Sequence, residues 1–185
     1  MNLTEEKIDG EYKYRGKIVK IRFDRVRLPD GKETTREVCE HPGGVAILPL
    51  NEKNEVVMVR QFRYTFGEVL LEIPAGKMDF DGEGHLECGL RELREETGIT
   101  PKEMIYLGCV YPSPGILSEV LHLYLAKGLK EGAPSPDDDE YIDTEVIPFE
   151  TLKRMIAENV VKDAKTIAAV FRASMLMSEN RSGGS

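Results

Sequence analysis

One helical pattern divides this sequence into two groups of short, strand-like segments. The pattern starts after Gly84, where Leu86, Leu90 and Leu93 recur at spacings of four and three, and it ends at Gly98, which is placed as a helix C-cap glycine. Short segments rich in Val, Ile and Leu lie on both sides of it, at residues 45–50, 56–62, 69–73, 104–110, 120–126 and 141–147. Strands on both sides of a central helix predict an α/β (α+β) sandwich with a mixed sheet.

Both ends of the chain add elements to this sandwich. Residues 16–28 and a second stretch through Val38 flank Pro29, Asp30 and Gly31, which predicts a β-hairpin. Two helices are predicted near the C-terminus, around residues 152–158 and 163–178. The second helix is expected to place one set of apolar residues on a single side, namely Ile167, Val170, Phe171 and Met175. The final residues, SGGS, predict a disordered tail.

Composition limits the classes of protein to which the chain can belong. Its 185 residues, 41% of them hydrophobic, suffice for one core and are few for two. The net charge of -8 argues against nucleic acid or an anionic membrane as a partner. The sequence has neither an apolar run of about 18 residues nor an apolar N-terminal stretch, so we expect no membrane span and no signal peptide. Three widely spaced cysteines without a C-x-x-C pair predict reduced thiols in a soluble, cytoplasmic protein.

The helical pattern carries three closely spaced carboxylates. With a rotation of about 100° per residue around the helix axis, Glu92 and Glu96 lie on the same side of the helix, and Glu95 widens this acidic face. The predicted core face is separate from them and consists of Leu86, Leu90, Leu93 and Thr97. Like charges at these spacings destabilise an isolated helix, so we expect nearby positive charge to compensate them.

Two interpretations of the acidic face follow from the residues alone. A hard divalent cation such as Mg²⁺ prefers carboxylate oxygens and would also neutralise a phosphate. The alternative is a solvated acidic face that Arg91 and Arg94 partly neutralise.

The surrounding residues resemble the Nudix box. Residues 91–99, RELREETGI, match its R-E-U-x-E-E-x-G-U core, where U is aliphatic, and Glu83 precedes Arg91 by the seven intervening residues of the family. One departure is that six residues, rather than five, separate Gly76 from Glu83. The extra residue falls in the loop and leaves the register of the helix unchanged.

The resemblance implies a Nudix fold and a metal-dependent reaction at a diphosphate. Glu92 and Glu96 would be the principal ligands of Mg²⁺ or Mn²⁺. Glu95 would be a further ligand, direct or through water, and is counted with the catalytic residues. The carbonyl of Ala75 would complete part of the shell. Arg91 and Glu83 would form a structural ion pair between the loop and the helix.

Flanking segments resemble the ADP-ribose pyrophosphatase branch of the family. Residues 71–77 read LEIPAGK and residues 59–63 read VRQFR. Residues 113–115 read SPG, with Pro114 fifteen residues beyond Ile99, although an ordinary tight turn also favours Pro and Gly. The resemblance implies that Ser113 and Gly115 help to bind substrate.

An acidic segment, PSPDDDE at residues 134–140, precedes the strand predicted at residues 141–147. By composition alone it is a mobile, solvated loop. In the branch that the chain resembles, a glutamate at this place is the general base, which implies that role for Glu140, with Asp138 as the second candidate. A mobile loop suits a base that arrives after the substrate has bound.

The resemblance implies further roles in substrate binding and assembly. Arg63 would contact a phosphate, unless it is only a surface charge, and Glu72 would help to fix the substrate or pair with a nearby arginine. N-terminal strands are exchanged within a homodimer in this branch, which implies that Arg36 and Glu37 reach the partner's site. The predicted division is 1–42 for the dimer-forming strands, 43–180 for the Nudix domain and 181–185 for the tail.

The function predicted from these features is Mg²⁺-dependent hydrolysis of ADP-ribose to AMP and ribose 5-phosphate. The alternatives are hydrolysis of another nucleoside diphosphate sugar, such as GDP-mannose or ADP-glucose, and a non-catalytic sensor of nucleotide sugars. A sensor predicts broken metal ligands, whereas all three box carboxylates are present. Acidity is concentrated around these features, because residues 76–100 carry seven acids and three bases and residues 131–145 carry seven acids and no base.

Overall fold

The computed structural model of the chain describes residues 1–78, 82–136 and 140–182, with only the backbone described from Asn180 on. Its contacts divide the chain into two compact units. Unit 1 consists of Met1–Gly43 and Tyr111–Val120, and unit 2 consists of Gly44–Val110 and the described residues from Leu121 on.

Unit 1 contains an antiparallel sheet of three strands, β1 (Glu6–Arg15), β2 (Lys20–Arg27) and β3 (Glu33–Glu40). The predicted hairpin is confirmed between β2 and β3, where the Gly31 N–H donates to the Leu28 carbonyl (2.9 Å) and Gly31 has a φ of +87°. Strand β1 was not predicted. Nine of its ten side chains are exposed, so its sequence lacks the alternation that a buried face produces.

Unit 2 is built around a four-stranded mixed sheet in the order β7-β4-β9-β8. Its strands are β4 (Gly44–Pro49), β7 (Ala75–Lys77), β8 (Glu103–Val110) and β9 (Leu121–Lys127), of which β4 and β9 are parallel and the other pairs antiparallel. Strand β7 was not predicted, since its three residues form too short a run to show a period.

Two helices cover opposite faces of this mixed sheet, because alternate residues of its strands point to opposite sides. Val45 and Ile47 of β4 belong to one buried cluster with Leu93 of α1 (His85–Thr97). Ala46 and Leu48 belong to another, which contains three residues of α3 (Ala164–Ser182), namely Ala169, Val170 and Ala173. The predicted α/β (α+β) sandwich with a mixed sheet is therefore confirmed, with one helix on each face of the sheet.

A second sheet in unit 2 is antiparallel, with the order β10-β5-β6. Its strands are β5 (Glu55–Arg63), β6 (Glu68–Glu72) and β10 (Ile142–Pro148), and helix α2 (Phe149–Ala157) follows β10 directly. The six strands predicted between residues 45 and 147 agree with the observed strands to within one residue at each end.

The predicted apolar side of the last helix is wrong in part. Val170 is buried, but Phe171 and Met175 are 64% and 50% exposed. The small residues Ala169 and Ala173 lie against the sheet instead, because they allow the helix to approach it closely. Helix α3 also extends through Ser182, two residues into the predicted tail, and residues 183–185 lie outside the described residues.

Candidate active site

Helix α1 carries the Nudix box and ends as the sequence predicts. The C-cap residue Gly98 has a φ of +75°, and its N–H donates to the Arg94 carbonyl (2.8 Å). The helix approaches β4 closely at Gly89, where an added Cβ would lie 3.0 Å from the Val45 side chain. This approach fixes which side of the helix is buried.

The predicted separation of the core face from the acid face is wrong. Leu86 and Leu90 are 40% and 37% exposed, whereas Glu92 and Glu96 are 8% and 4% exposed and share the buried side with Leu93. The helix turns its carboxylates inward because Gly89 and Cys88 make the tight contact with the sheet. Two of the three box carboxylates therefore lie in a region of low polarity, where an uncompensated charge is costly.

Arg91 binds three of the acidic residues around it. Its Nε donates to Glu83 (3.0 Å), and its Nη1 donates to Glu92 (2.9 Å) and to Glu95 (3.0 Å). Burial opposes the charge on Arg91, but these carboxylates outweigh burial and raise its pKa. The expected ion pair between the loop and the helix is present.

Glu92 lies directly against the backbone of Gly76. A Cβ built on Gly76 would be 1.9 Å from the Glu92 carboxyl carbon, so only glycine leaves room for this carboxylate. Burial raises the pKa of Glu92 from its usual 4.5 to about 7, and the charges of Glu95 and Glu140 add to the effect while Arg91 opposes it.

Replacement of Gly76 by alanine tests the importance of this close contact. We expect Gly76→Ala to displace the Glu92 carboxylate and to weaken any activity that depends on a divalent cation about tenfold or more. Stability should change little, because the displaced atoms are the end of a flexible side chain. Activity against Mg²⁺ concentration and thermal unfolding measure the two effects. An unchanged Mg²⁺ dependence would contradict the expectation.

Glu96 connects the helix to the loop before β7. Its carboxylate accepts a hydrogen bond from the Ala75 N–H (3.2 Å). Burial first, and then the charges of Glu92 and Glu140, raise the pKa of Glu96 to about 8. Two adjacent carboxyls thus retain protons at a pH at which exposed glutamates are ionised, and a nearby cation would reverse that shift.

The donor types at this site suit a hard divalent cation, since carboxylate and carbonyl oxygens are the ligands of Mg²⁺. Within the described residues, no three His, Cys, Asp or Glu side chains have an arrangement that would hold a metal ion. In the structure, Arg91 binds Glu92 and Glu95, and the Glu96 carboxylate accepts from the Ala75 N–H. A bound cation therefore competes with Arg91 for two of the three carboxylates.

The start of the acidic segment is attached to the end of α1. The Ser135 N–H donates to the Glu95 carbonyl (2.9 Å), and Thr100 and Lys130 exchange two backbone hydrogen bonds of 2.9 Å. Glu140 precedes β10 at the other end of the segment, and its charge raises the pKa of both Glu92 and Glu96. Asp138 lies outside the described residues.

Arg63 and Glu72 pair with each other at the ends of β5 and β6. Two nitrogens of Arg63 donate to the two oxygens of Glu72, each at 2.7 Å. Burial opposes ionisation of Glu72, but Arg63 and Lys165 together lower its pKa. Of the two roles expected for Glu72, the structure shows the pairing with arginine.

Sequence reasoning missed the group on α3 that completes this pairing. Lys165 contacts Glu72 and also Asp163 (3.0 Å). Asp163 accepts from the Thr166 N–H (3.0 Å), and the Thr166 hydroxyl accepts from the Ile73 N–H (2.9 Å). The sequence held one signal of this contact, which is a lysine in the first turn of the last helix. The positive end of the helix dipole disfavours a lysine there, so nearby carboxylates are expected to compensate it.

The remaining predicted site residues lie in unit 1. Arg36 of β3 pairs with Glu5 (Nε to Oε2, 3.0 Å), and Glu37 is exposed. The Ser113 carbonyl accepts from the Leu117 N–H (2.9 Å), so the SPG residues form a hydrogen-bonded turn, and Ser113 and Gly115 are exposed.

Comparison with known families agrees with the fold and the helix. Residues 40–170 match the family model described as NUDIX domain, and residues 5–45 match the one described as nucleoside diphosphate sugar hydrolase N-terminal domain. The chain therefore belongs to the Nudix hydrolase family. Among the described residues, no helix is long and apolar enough to cross a bilayer.

Individual relatives are similar over almost the whole chain. A methanol dehydrogenase activator of Bacillus methanolicus is 41% identical over 171 residues, and an ADP-ribose pyrophosphatase of Bacillus subtilis (strain 168) is 36% identical over 171 residues. Each alignment covers 91% of this chain and 92% of the relative. The crystal structure of an ADP compounds hydrolase superposes with a TM-score of 0.85 at 18% identity, covering 97% of this chain and 98% of that one, which confirms the fold.

Proposed function

We propose that the chain hydrolyses the diphosphate of ADP-ribose in a Mg²⁺-dependent reaction that yields AMP and ribose 5-phosphate. The observation that carries this proposal is the pair of buried carboxylates on α1, Glu92 and Glu96. The charge of Glu140 contributes to raising the pKa of both. The 36% identity to an ADP-ribose pyrophosphatase supports the choice of substrate.

The proposed chemistry divides the carboxylates into two groups. Glu92, Glu95 and Glu96, with the Ala75 carbonyl, hold Mg²⁺ or Mn²⁺, which when bound offsets charge on the diphosphate and acidifies water. Glu140 accepts a proton from the water that attacks phosphorus. Water adds to one phosphorus while the bridging P–O bond breaks, so that each product keeps one phosphate.

Substrate binding is proposed for several further residues. Arg63 binds a phosphate through its guanidinium, and Glu72, which pairs with Arg63 in the structure, helps to fix the substrate. Ser113 and Gly115 contact substrate from their turn. Arg36 and Glu37 contribute to the site of a partner subunit.

We propose that the protein is a homodimer with exchanged N-terminal strands. In unit 1, all of whose residues are described, Val26 is the one hydrophobic residue that is buried, while eight large hydrophobic residues are exposed by more than a third, namely Met1, Leu3, Tyr12, Tyr14, Ile18, Phe23, Tyr111 and Ile116. A small sheet with so little core of its own needs cover from another surface. Light scattering that finds the mass of a single chain would contradict the dimer.

The proposed location is the cytoplasm, supported by three free cysteines, Cys39, Cys88 and Cys109, since secreted proteins of this size commonly form disulfides. Fractionation of cells that express the chain checks this proposal, and recovery outside the cytoplasm would contradict it.

A substrate panel tests the reaction directly. Purified protein with Mg²⁺ is incubated with ADP-ribose, GDP-mannose and ADP-glucose in ¹⁸O-labelled water, and the products are identified by mass spectrometry. We expect the highest kcat/KM with ADP-ribose, with label in either AMP or ribose 5-phosphate according to the phosphorus attacked. A higher kcat/KM with GDP-mannose or ADP-glucose would show that the proposed substrate is wrong and the proposed reaction right. Absence of product from all three compounds would contradict both the substrate and the reaction.

A further inference from the structure

Glu72 is a buried carboxylate that binds two cations. Its side chain is 2% exposed, Arg63 contacts both of its oxygens at 2.7 Å, and Lys165 contacts Oε2. Arg63 alone would neutralise this carboxylate, and Lys165, which also pairs with Asp163, brings a second positive charge to it.

The two cations differ in how firmly the structure holds them. The Arg63 side chain is 37% exposed, whereas that of Lys165 is 11% exposed and also contacts Asp163 at 3.0 Å. The start of α3 is fixed in turn, because Asp163 caps the helix at Thr166 and Thr166 accepts from the backbone of Ile73, the neighbour of Glu72. Lys165 is thus less exposed than Arg63 and is held by two carboxylates.

Arg63 also interacts electrostatically with a carboxylate of α1. Burial and the charges of Glu92 and Glu140 raise the pKa of Glu96, and the positive charge of Arg63 opposes that rise, so the guanidinium lies within electrostatic range of a carboxylate proposed to hold Mg²⁺. If Arg63 alone compensated Glu72, its departure toward a phosphate would leave a buried carboxylate without a partner, which proteins tolerate poorly.

We propose that Lys165 is a positioning residue that keeps Glu72 compensated, so that Arg63 can turn from Glu72 to the diphosphate of the substrate. This inference rests on the proposed function. It assigns to α3 a part in substrate binding without contact between Lys165 and the substrate. Arg63 exchanges one anionic partner for another, and Lys165 lowers the free-energy cost of that exchange.

Substitution of Lys165 tests the exchange. Lys165→Met leaves Arg63 as the only cation on Glu72 and should hold it there, so we expect KM for ADP-ribose to rise about tenfold or more while kcat changes by less than about threefold. Lys165→Arg keeps the positive charge and should stay within about threefold of the wild-type KM.

A double variant separates positioning from folding. Lys165→Met with Glu72→Gln removes the charges of Lys165 and Glu72, leaves Arg63 beside a neutral amide and should reverse much of the rise in KM seen in Lys165→Met. A titration with the α,β-methylene analogue of ADP-ribose, followed by calorimetry, should show the same order of Kd values without turnover. Thermal unfolding of each variant reports on the fold.

The outcomes of this series are distinct. A raised KM in Lys165→Met that the second substitution relieves supports the proposal. An unchanged KM, or a loss of kcat and stability that Glu72→Gln does not relieve, overturns it. Absence of hydrolysis by the wild-type protein with every nucleoside diphosphate sugar is a failure of the proposed function, and it is seen before any Lys165 variant is measured.

Discussion

Glu96→Gln should lower kcat for ADP-ribose by about a thousandfold or more. Loss of one carboxylate from a metal site removes several kcal/mol of transition-state stabilisation, and each 1.36 kcal/mol corresponds to a factor of ten in rate. The amide also loses the charge that the Ala75 N–H stabilises at 3.2 Å. Steady-state kinetics at saturating Mg²⁺ measure the change in kcat.

Glu87→Gln is the matched control for this prediction. Glu87 lies in the first turn of the same helix, is exposed and belongs to no part of the proposed site. We expect its kcat to stay within about twofold of the wild-type value, as is usual for surface substitutions. If Glu96→Gln retained wild-type activity with an intact helix, the proposed metal site would be wrong.

Glu140→Gln should reduce kcat by about 10²- to 10⁴-fold, the usual contribution of a general base. The affinity for Mg²⁺ should fall little, because Glu140 interacts with Glu92 and Glu96 by charge and is not among the proposed ligands. Removal of its negative charge should even lower the pKa of Glu92. The acidic limb of the profile of kcat against pH should disappear, which a general loss of binding would not produce.

Two further variants define the base. Asp138→Asn tests the second candidate, and Asp143→Asn, at an exposed site on β10, is the control for a change of charge near the segment. A full loss of activity in Asp138→Asn with normal activity in Glu140→Gln would move the role of base to Asp138. Normal rates in both variants would place the base elsewhere.

The helix of the site was predictable to the residue, whereas its orientation was not. Leu86 and Leu90 suggested a core face by periodicity, but a pattern of side chains does not report how closely two backbones approach. Gly89 and Gly76 determine that approach, the first against Val45 and the second against Glu92. The carboxylates are buried because these glycines leave room for them, which overrides the preference of leucine for the interior.

The contribution of α3 was not predictable for a related reason. Lys165 and Glu72 are 93 residues apart in sequence, and their contact exists only because α3 packs on the mixed sheet. The pairing of Arg63 with Glu72 was not predictable from strand register, which places Arg63 opposite Glu68 and Glu72 opposite Val59. Local patterns therefore indicated the proposed metal ligands and the Arg91–Glu83 ion pair, while the contacts of Glu72 depended on tertiary packing.

Backbone hydrogen bonds attach residues 130–135 to the end of α1 and to Thr100. We expect the sequence after Ser135 to tolerate changes in length better than the sequence before it. Insertions after Ser135 should leave the Ser135–Glu95 and Thr100–Lys130 hydrogen bonds intact, and doubling the length of a flexible loop generally costs only about 0.6 kcal/mol. Insertions before Ser135 would pull on the last turn of the helix that carries the carboxylates. Relatives with new substrates should therefore differ in length after Ser135, and chimeric proteins are best joined there.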